Sequence, residues 1–268
     1  MNAACPNCNH LLQEHFRYCP NCSQKTRLHR LSFHDILHDA MHYFTHADKG
    51  IFGLVKNLAT KHGRIAAEFV AGKRKMHFPP FNFYLIVATL FVLSVQWFTP
   101  EKPFDLAKEH PELQKITDKT ERERRAGIYT RQHEAVSFMN KYSNTMMMIA
   151  LPLICFLYWL FYMKGKYNYV EHLVACMYML GFVNLVFTLF FLPLRLIFNV
   201  KEGSQAALKV VLVFMLFEII YSAIFYYRFM NQGTRASAWK AFGVSFFVVV
   251  FWLVVSSLLV ALYIAKGF

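Results

Sequence analysis

Residues 173–198 read LVACMYMLGFVNLVFTLFFLPLRLIF, and Arg195 is the only charged side chain among them. A helix needs about 20 apolar residues to cross the hydrocarbon core of a bilayer, and this stretch exceeds that length. Four other stretches of similar character lie at about 81–98, 145–163, 210–227 and 241–265. The sequence therefore predicts an all-α polytopic membrane bundle of about five transmembrane helices, surrounded by a lipid bilayer.

The amino-acid composition agrees with this fold class. Of the 268 residues, 56% are hydrophobic and 17% are aromatic, with 28 Phe, and soluble domains rarely combine these values. The net charge is +13, but nine of the 29 Lys and Arg lie beside eight acids in the polar loop 99–144, and 11 lie in residues 1–80. A basic N-terminal segment is what the positive-inside rule predicts for a cytosolic end. Because no basic aromatic face accompanies it, no nucleic-acid partner is expected.

Two matched cysteine pairs open the chain, Cys5-Pro-Asn-Cys8 and Cys19-Pro-Asn-Cys22. Knuckles of this kind are typical of a zinc ribbon, because four thiolates complete a tetrahedral site and soft sulfur suits Zn²⁺. Iron also suits such a site, and two disulfides are the other interpretation of four cysteines. So small a ribbon has little core, so the metal must supply most of its folding free energy. We predict a four-cysteine ribbon over residues 1–25 with zinc as its cofactor.

The expected topology places the ribbon in the cytosol. The first residues lack the basic and apolar regions of a signal peptide, and reduced thiolates suit a reducing compartment. Connectors 164–172 and 228–240 carry Lys and Arg and are expected on the same side of the membrane. Connector 199–209 and the C-terminus are expected on the other side. Loop 99–144 is then extracytoplasmic, and its Glu, Lys, Arg and Gln content predicts a partly helical structure.

Between the ribbon and the bundle, residues 26–78 are expected to form cytoplasmic amphipathic helices. One helix starts at Ser32, where an acid three residues later completes a shortened capping box. A second helix covers residues 51–69, with apolar positions on one face, and ends at Gly72. Neither is apolar enough to span a bilayer, so both are expected to lie against the cytoplasmic face of the bundle, residues 79–268.

A histidine stripe offers a candidate second metal site. Histidines recur every four residues at His34, His38, His42 and His46. Side chains at i and i+4 lie on one helix face, so two of them can share a metal. Glu171 and His172, at the cytoplasmic mouth of the third span, are their only complement. The alternative interpretations are a polar face over the lipid headgroups for the stripe and a helix cap for Glu171.

Glu218 lies eight residues into the predicted fourth span. An ionisable side chain is costly there, so it must face the bundle interior, a partner or water. Arg195, near the outer end of the third span, is close enough in depth to be its partner if the two spans are neighbours. Asn184 is a further intramembrane polar residue, for which a hydrogen bond between helices is expected. Glu218 is interpreted as part of a proton or ion relay or as a substrate contact, and the alternatives are a buried structural pair or a glutamate that stays protonated.

A basic cluster precedes the first span. Lys73, Arg74 and Lys75 are predicted to bind anionic lipid headgroups, and a plain positive-inside anchor is the alternative and compatible interpretation.

The order of these motifs resembles a bacterial membrane-protein family known as domain of unknown function 3667. The resemblance lies in CPNCSQ at 19–24, EFVAGKRK at 68–75, FPP at 78–80 and, more loosely, YVEHL at 169–173. His62-Gly63 stands where Pro-Gly is expected in that family. The resemblance implies a bacterial inner-membrane protein and brings no established activity or catalytic residue.

Three classes of function stay open. The leading one is a non-enzymatic membrane protein whose ribbon docks a cytosolic partner or senses a condition, with transport or channel activity through the bundle and Glu218 as its polar element. The second is a membrane-embedded metal-dependent enzyme acting on lipids at the cytoplasmic interface through His34, His38 and His172. The third is a scaffold or assembly factor of a membrane complex. The sequence leans against an enzyme and leaves the oligomeric state open.

Overall fold

The fold is a bundle of long apolar helices. A computed structural model of the chain describes residues 3–26, 28, 30–36, 50–98, 104–198 and 204–266. Five helices within these residues are long and apolar enough to cross a membrane, which confirms the predicted fold class. The membrane-crossing segments are Pro80–Trp97, Thr145–Tyr162, Tyr169–Leu194, Gln205–Met230 and Arg235–Ala265.

The described elements begin with a small hairpin, in which β1 (Ala3–Ala4) pairs antiparallel with β2 (Leu11–Leu12). The helices that follow are α1 (Ile51–Lys61), α2 (Arg64–Val70), α3 (Pro80–Phe98), α4 (Leu106–Glu109), α5 (Lys119–Lys141), α6 (Ser143–Tyr162), α7 (Tyr169–Val186), α8 (Leu192–Ile197), α9 (Gln205–Met230) and α10 (Arg235–Lys266). A 3-10 turn covers Pro111–Lys115 and a π-helical turn covers Phe187–Phe191.

Helix α7 is the centre of the bundle. Every residue from Glu171 to Val183 is buried, and 67% of its span is buried against 6% of the α10 span. A helix that is apolar all round belongs in an interior, and α7 is packed by α3, α6 and α9. Helix α10 lies outside, along α9, with most of its surface left for lipid.

The two ends of the bundle carry different segments. Arg30, just after the ribbon, donates to the Lys166 carbonyl at 2.6 Å, so the ribbon lies at the end that holds the α6–α7 connector. At α10's C-terminal end, Arg131 of α5 donates to the Ile264 carbonyl at 2.7 Å. The predicted loop 99–144 is partly helical, since α5 covers Lys119–Lys141. The C-terminal part of α10 contacts this helix.

The predicted helix over 51–69 is divided in two. Helix α1 ends at Lys61, His62 adopts a φ of +52°, and α2 begins at Arg64. The physical reason is the approach of Gly63 to α9, where an added Cβ would overlap the Phe225 carbonyl oxygen and lie 2.7 Å from the Phe229 nitrogen. Only a turn with no side chain brings these two backbones together.

Capping motifs in the sequence determine where several helices begin or end. Gly72, with a φ of +107°, ends α2 in a Schellman motif: the Lys73 N–H donates to the Glu68 carbonyl at 3.0 Å and the Gly72 N–H donates to the Phe69 carbonyl at 3.1 Å. The structure starts the third span at Tyr169 rather than 173, because Asn168 caps the helix there. Ser32 and Asp35 exchange hydrogen bonds as a capping box, and residues 33–36 are helical.

Candidate metal centre and intramembrane site

The four N-terminal cysteines converge on one point. Their sulfur atoms all lie within 4.8 Å of one another, with Cys5 and Cys22 at 3.7 Å and Cys8 and Cys19 at 3.6 Å. Four ligands at the Zn–S distance of about 2.3 Å form a tetrahedron with edges of about 3.8 Å. The cluster therefore fits a metal ion of that size and is consistent with zinc.

Both knuckles have the same backbone geometry. The Asn9 N–H donates to the Cys5 carbonyl at 2.9 Å, and the Ser23 N–H donates to the Cys19 carbonyl at 2.8 Å. Asn9 and Ser23 also share the left-handed conformation, with φ values of 60° and 58°. This repeated turn aims both cysteines of a pair at the same point. Among the described residues, the buried core of the ribbon is Cys5, Leu12 and Cys19, so a metal bound here would supply most of its stability.

The electrostatics of the thiols differ between the knuckles. A hydrogen bond with the backbone at His10 lowers the pKa of Cys8 to about 6, and burial raises the pKa of Cys22 to about 11. A bound divalent cation favours the thiolate form of a ligand cysteine, because its charge offsets the cost of burying the anion.

The ribbon is attached to the segment that enters the membrane, residues 72–79, which we call the neck. The Met76 N–H donates to Asn7 Oδ1 at 3.0 Å, and the Lys75 N–H donates to Gln24 Oε1 at 3.2 Å. Asn7 lies inside the first knuckle and Gln24 lies two residues after the second, so a side chain at each knuckle holds one of two successive backbone amides. Gln24 is buried. Neither residue is predicted from the sequence to have this role, because nothing in the motif distinguishes Asn7 and Gln24 from ordinary turn residues.

One residue of the basic cluster in the neck, Lys73, forms an ion pair within the protein. Lys73 Nζ lies 3.7 Å from Glu68 Oε1, and Glu68 Oε2 lies 3.0 Å from His77 Nε2. Burial lowers the pKa of His77, against the opposing influence of Glu68. Lys75 is exposed. The headgroup-binding role of Lys73, Arg74 and Lys75 stays a prediction.

The Glu171 carboxylate forms hydrogen bonds and an ion pair that stabilise the fold. Its carboxylate accepts from Arg30 at 3.1 and 3.0 Å and from the Asn168 N–H at 2.7 Å, while Asn168 Oδ1 accepts from the Glu171 N–H. This is a complete capping box joined to a two-point ion pair. The capping interpretation therefore describes its geometry, and the carboxylate's oxygens are already occupied.

His172 lies fully inside an aromatic cluster. Rings of Tyr162, Tyr226 and Phe229 surround it at centroid distances of 6.2, 5.9 and 5.6 Å. Its Nδ1 lies 3.5 Å from the Tyr226 hydroxyl, and within the described chain its buried Nε2 has no partner.

The histidine stripe is only partly described. His34 is exposed, and His38, His42 and His46 lie outside the described residues. Among the residues that the structure covers, the four N-terminal cysteines form the only cluster of His, Cys, Asp or Glu suited to a metal.

Glu218 borders a cavity between helices. Helix α9 extends past both predicted ends, and Glu218 lies 13 positions after its first residue, Gln205, and 12 positions before its last, Met230. Glu218 is thus at the middle of the helix, about 20 Å from its start at 1.5 Å per residue. The cavity measures about 280 Å³ and is bounded by α6, α7, α9 and α10.

The other two predicted intramembrane polar residues, Asn184 and Arg195, lie in the second half of the helical stretch 169–197 that contains the third span. Asn184 is half-buried near the end of α7, and its carbonyl accepts from Thr188 Oγ1 at 2.8 Å. Arg195 belongs to α8, although its side chain lies outside the described set. Asn184 is not among the described residues that line the cavity.

Comparison with known families gives one match. Residues 48–92 match the model of the family described as "Protein of unknown function (DUF3667)". This confirms the resemblance over α1, α2, the neck and most of α3. The matched segment contains Gly63, which meets α9, and the neck that the ribbon holds. No curated protein and no solved structure matches the chain.

Proposed function

We propose that this is a multi-pass protein of the bacterial cytoplasmic membrane that moves a solute through its helical bundle, with the four-cysteine ribbon as a zinc-bound regulatory unit on the cytosolic side. The observation that carries the proposal is Glu218, an acid at the middle of a membrane-crossing helix and on the wall of a cavity. Such residues are expensive to insert and mark substrate or ion pathways.

The regulatory part of the proposal is supported by the contacts of the ribbon. It holds the neck through Asn7 and Gln24, and the neck continues directly into α3. The segment after the ribbon adds the Arg30–Glu171 pair at the start of the central helix. A change in metal occupancy therefore has a short physical route to two of the five spans.

The proposal is tested with the full-length protein in liposomes. Charge movement is recorded by solid-supported membrane electrophysiology after concentration jumps of protons, sodium, potassium and small organic ions. We expect a current from at least one of these in the wild type and its loss in Glu218→Gln, because the amide keeps the shape and removes the charge.

The matched control is Glu123→Gln, an equivalent change on the exposed surface of α5. It should leave the current intact. A Glu218→Gln protein that carries the wild-type current, or a wild type silent to every ion tested, contradicts the proposal.

The enzyme alternative requires a second metal near the histidine stripe. Glu171 would have to leave Arg30 and its capping box to become a ligand, and His172 is enclosed by aromatic rings. We therefore rank transport above lipid chemistry.

A further inference from the structure

The cavity beside Glu218 is lined mainly by apolar side chains. Its apolar walls include Met179, Met215 and Val248. Its polar side chains are those of Tyr158, Glu218, Ser222, Trp252 and Ser256, and no Lys or Arg among the described residues lines it. The cavity is thus an apolar space with one ionisable group, the arrangement that small-molecule sites share.

Glu218 has no cationic partner among the side chains that the structure describes. Within the described residues, its carboxylate makes no hydrogen bond and no ion pair. A carboxylate in apolar surroundings is unfavourable unless it takes a proton or pairs with a cation. Charge complementarity therefore selects a positively charged occupant.

The lining suits an organic cation better than a compact metal ion. Mg²⁺ and Ca²⁺ require six or more oxygen ligands, and this cavity offers one carboxylate and the hydroxyls of Ser222 and Ser256. The Tyr158 hydroxyl is directed to Ser245 Oγ at 3.1 Å. The aromatic side chains of Tyr158 and Trp252 also line the cavity, and aromatic rings favour an ammonium group, whose charge is spread over its substituents.

The position of the cavity gives such a ligand a way in. Val211 and Leu253 line it and are each 44% exposed, on helices whose outer surfaces face lipid. An amphiphilic cation partitions into the bilayer and reaches this rim laterally. Met179 and Met215 add flexible side chains that adapt to ligands of different shape.

We propose that the cavity beside Glu218 binds an organic cation with an apolar body, of the substituted-ammonium class, which enters from the bilayer. The inference deepens the proposed transport function and rests on the same residue, since it names the class of solute.

The test measures binding to the full-length protein in nanodiscs by equilibrium dialysis against radiolabelled benzyltrimethylammonium. Empty nanodiscs give the background. The neutral control is neopentylbenzene, which has carbon in place of nitrogen and the same shape. We expect saturable binding of the cation to the wild type and at least about tenfold weaker binding to Glu218→Gln, as for loss of one partner of a buried charge pair. Binding of the neutral compound should be equal in both proteins.

A second variant separates the loss of the negative charge from other effects of a substitution at Glu218. Glu218→Asp retains the charge and shifts it by one methylene, so it should bind the cation more tightly than Glu218→Gln does. Equal cation binding by the wild type and Glu218→Gln, or no saturable binding by the wild type, overturns the inference.

The two proposals fail in different ways. Saturable, Glu218-dependent binding of benzyltrimethylammonium without any current refutes transport and supports the site. A Glu218-dependent proton current without cation binding refutes the site and leaves transport standing.

Discussion

Gly63 shows how one residue without a side chain sets a helix–helix contact. It lies between α1 and α2 with its Cα against the backbone of α9 at Phe225 and Phe229. Its φ of −62° is available to any residue, so glycine is needed here for space rather than for backbone freedom.

Replacing Gly63 with Ala should destabilise the protein by about 3 kcal/mol, the upper part of the range for overpacking, because the obstacle is backbone that cannot rotate away. The matched control is Gly53→Ala, where an added Cβ meets nothing within 4 Å inside α1. That change should stabilise by about 1 kcal/mol through helix propensity. Melting temperatures in detergent give both results, and a Gly63→Ala protein as stable as Gly53→Ala would contradict the close contact.

His77 makes the neck sensitive to acid. It is buried beside Glu68, and burial lowers its pKa below the usual value near 6.5. The unfolded chain therefore binds the proton at a higher pH than the folded one does. The resulting stability is present above pH about 6.5 and is lost as the pH falls through the lowered pKa.

We expect the melting temperature at saturating zinc to fall from pH 7.5 to pH 5.5, and His77→Gln to reduce this fall. Glutamine keeps a donor for Glu68 and cannot titrate. Part of the fall in melting temperature with decreasing pH should remain in His77→Gln, since burial also lowers the pKa of His62. Identical slopes in the two proteins would remove His77 as a cause.

At the scale of elements, the ribbon and the neck form one unit. Two side chains that follow no hydrophobic pattern, Asn7 and Gln24, accept from the adjacent amides of Lys75 and Met76. Leu28 and Pro6 lie against Gly72 beside them, where an added Cβ would overlap Leu28.

The double change Asn7→Ala and Gln24→Ala should release this contact while the cysteines keep their metal. Each hydrogen bond contributes about 1 kcal/mol, so the amides of Lys75 and Met76 should lose most of their protection from hydrogen exchange. Exchange mass spectrometry over the neck measures the change. Gln13→Ala, at an exposed ribbon position, is the control and should leave exchange unaltered. Unchanged protection in the double variant would show that the contact does not hold the neck.

At the scale of the whole molecule, two sources of stability act side by side. The bundle is held by burial around α7, whereas the described ribbon has three buried core residues, so we expect a bound metal to supply most of its stability. Removing the metal should therefore unfold the ribbon and leave the bundle helical.

Metal analysis by mass spectrometry should give one zinc per chain in the wild type and none after Cys5→Ser with Cys8→Ser. Circular dichroism should lose little helical signal, because the described ribbon contains no helix. Met76 and Lys75 should then exchange faster, as in the neck variants. A second metal that survives these changes would favour the enzyme alternative, and iron in place of zinc would correct the cofactor.

Features that depend on residues close together in the chain can be predicted from the amino-acid sequence. Length and apolarity predict five spans, because a membrane core has a fixed thickness. Spacing predicts the cysteine cluster, because each pair lies within one short turn. The Ser32 cap and the Gly72 stop are local as well, since both are satisfied within a few residues.

Contacts between distant segments of the chain are visible only in the folded molecule. Arg30 meets Glu171 across 141 positions, the knuckles meet the neck across 69 and 51, and four helices enclose the Glu218 cavity. Periodicity shows which face of a helix is apolar, but it carries no information about which other helix covers that face or where a gap is left. Those choices come from the packing of the complete bundle, and the candidate site lies in that packing.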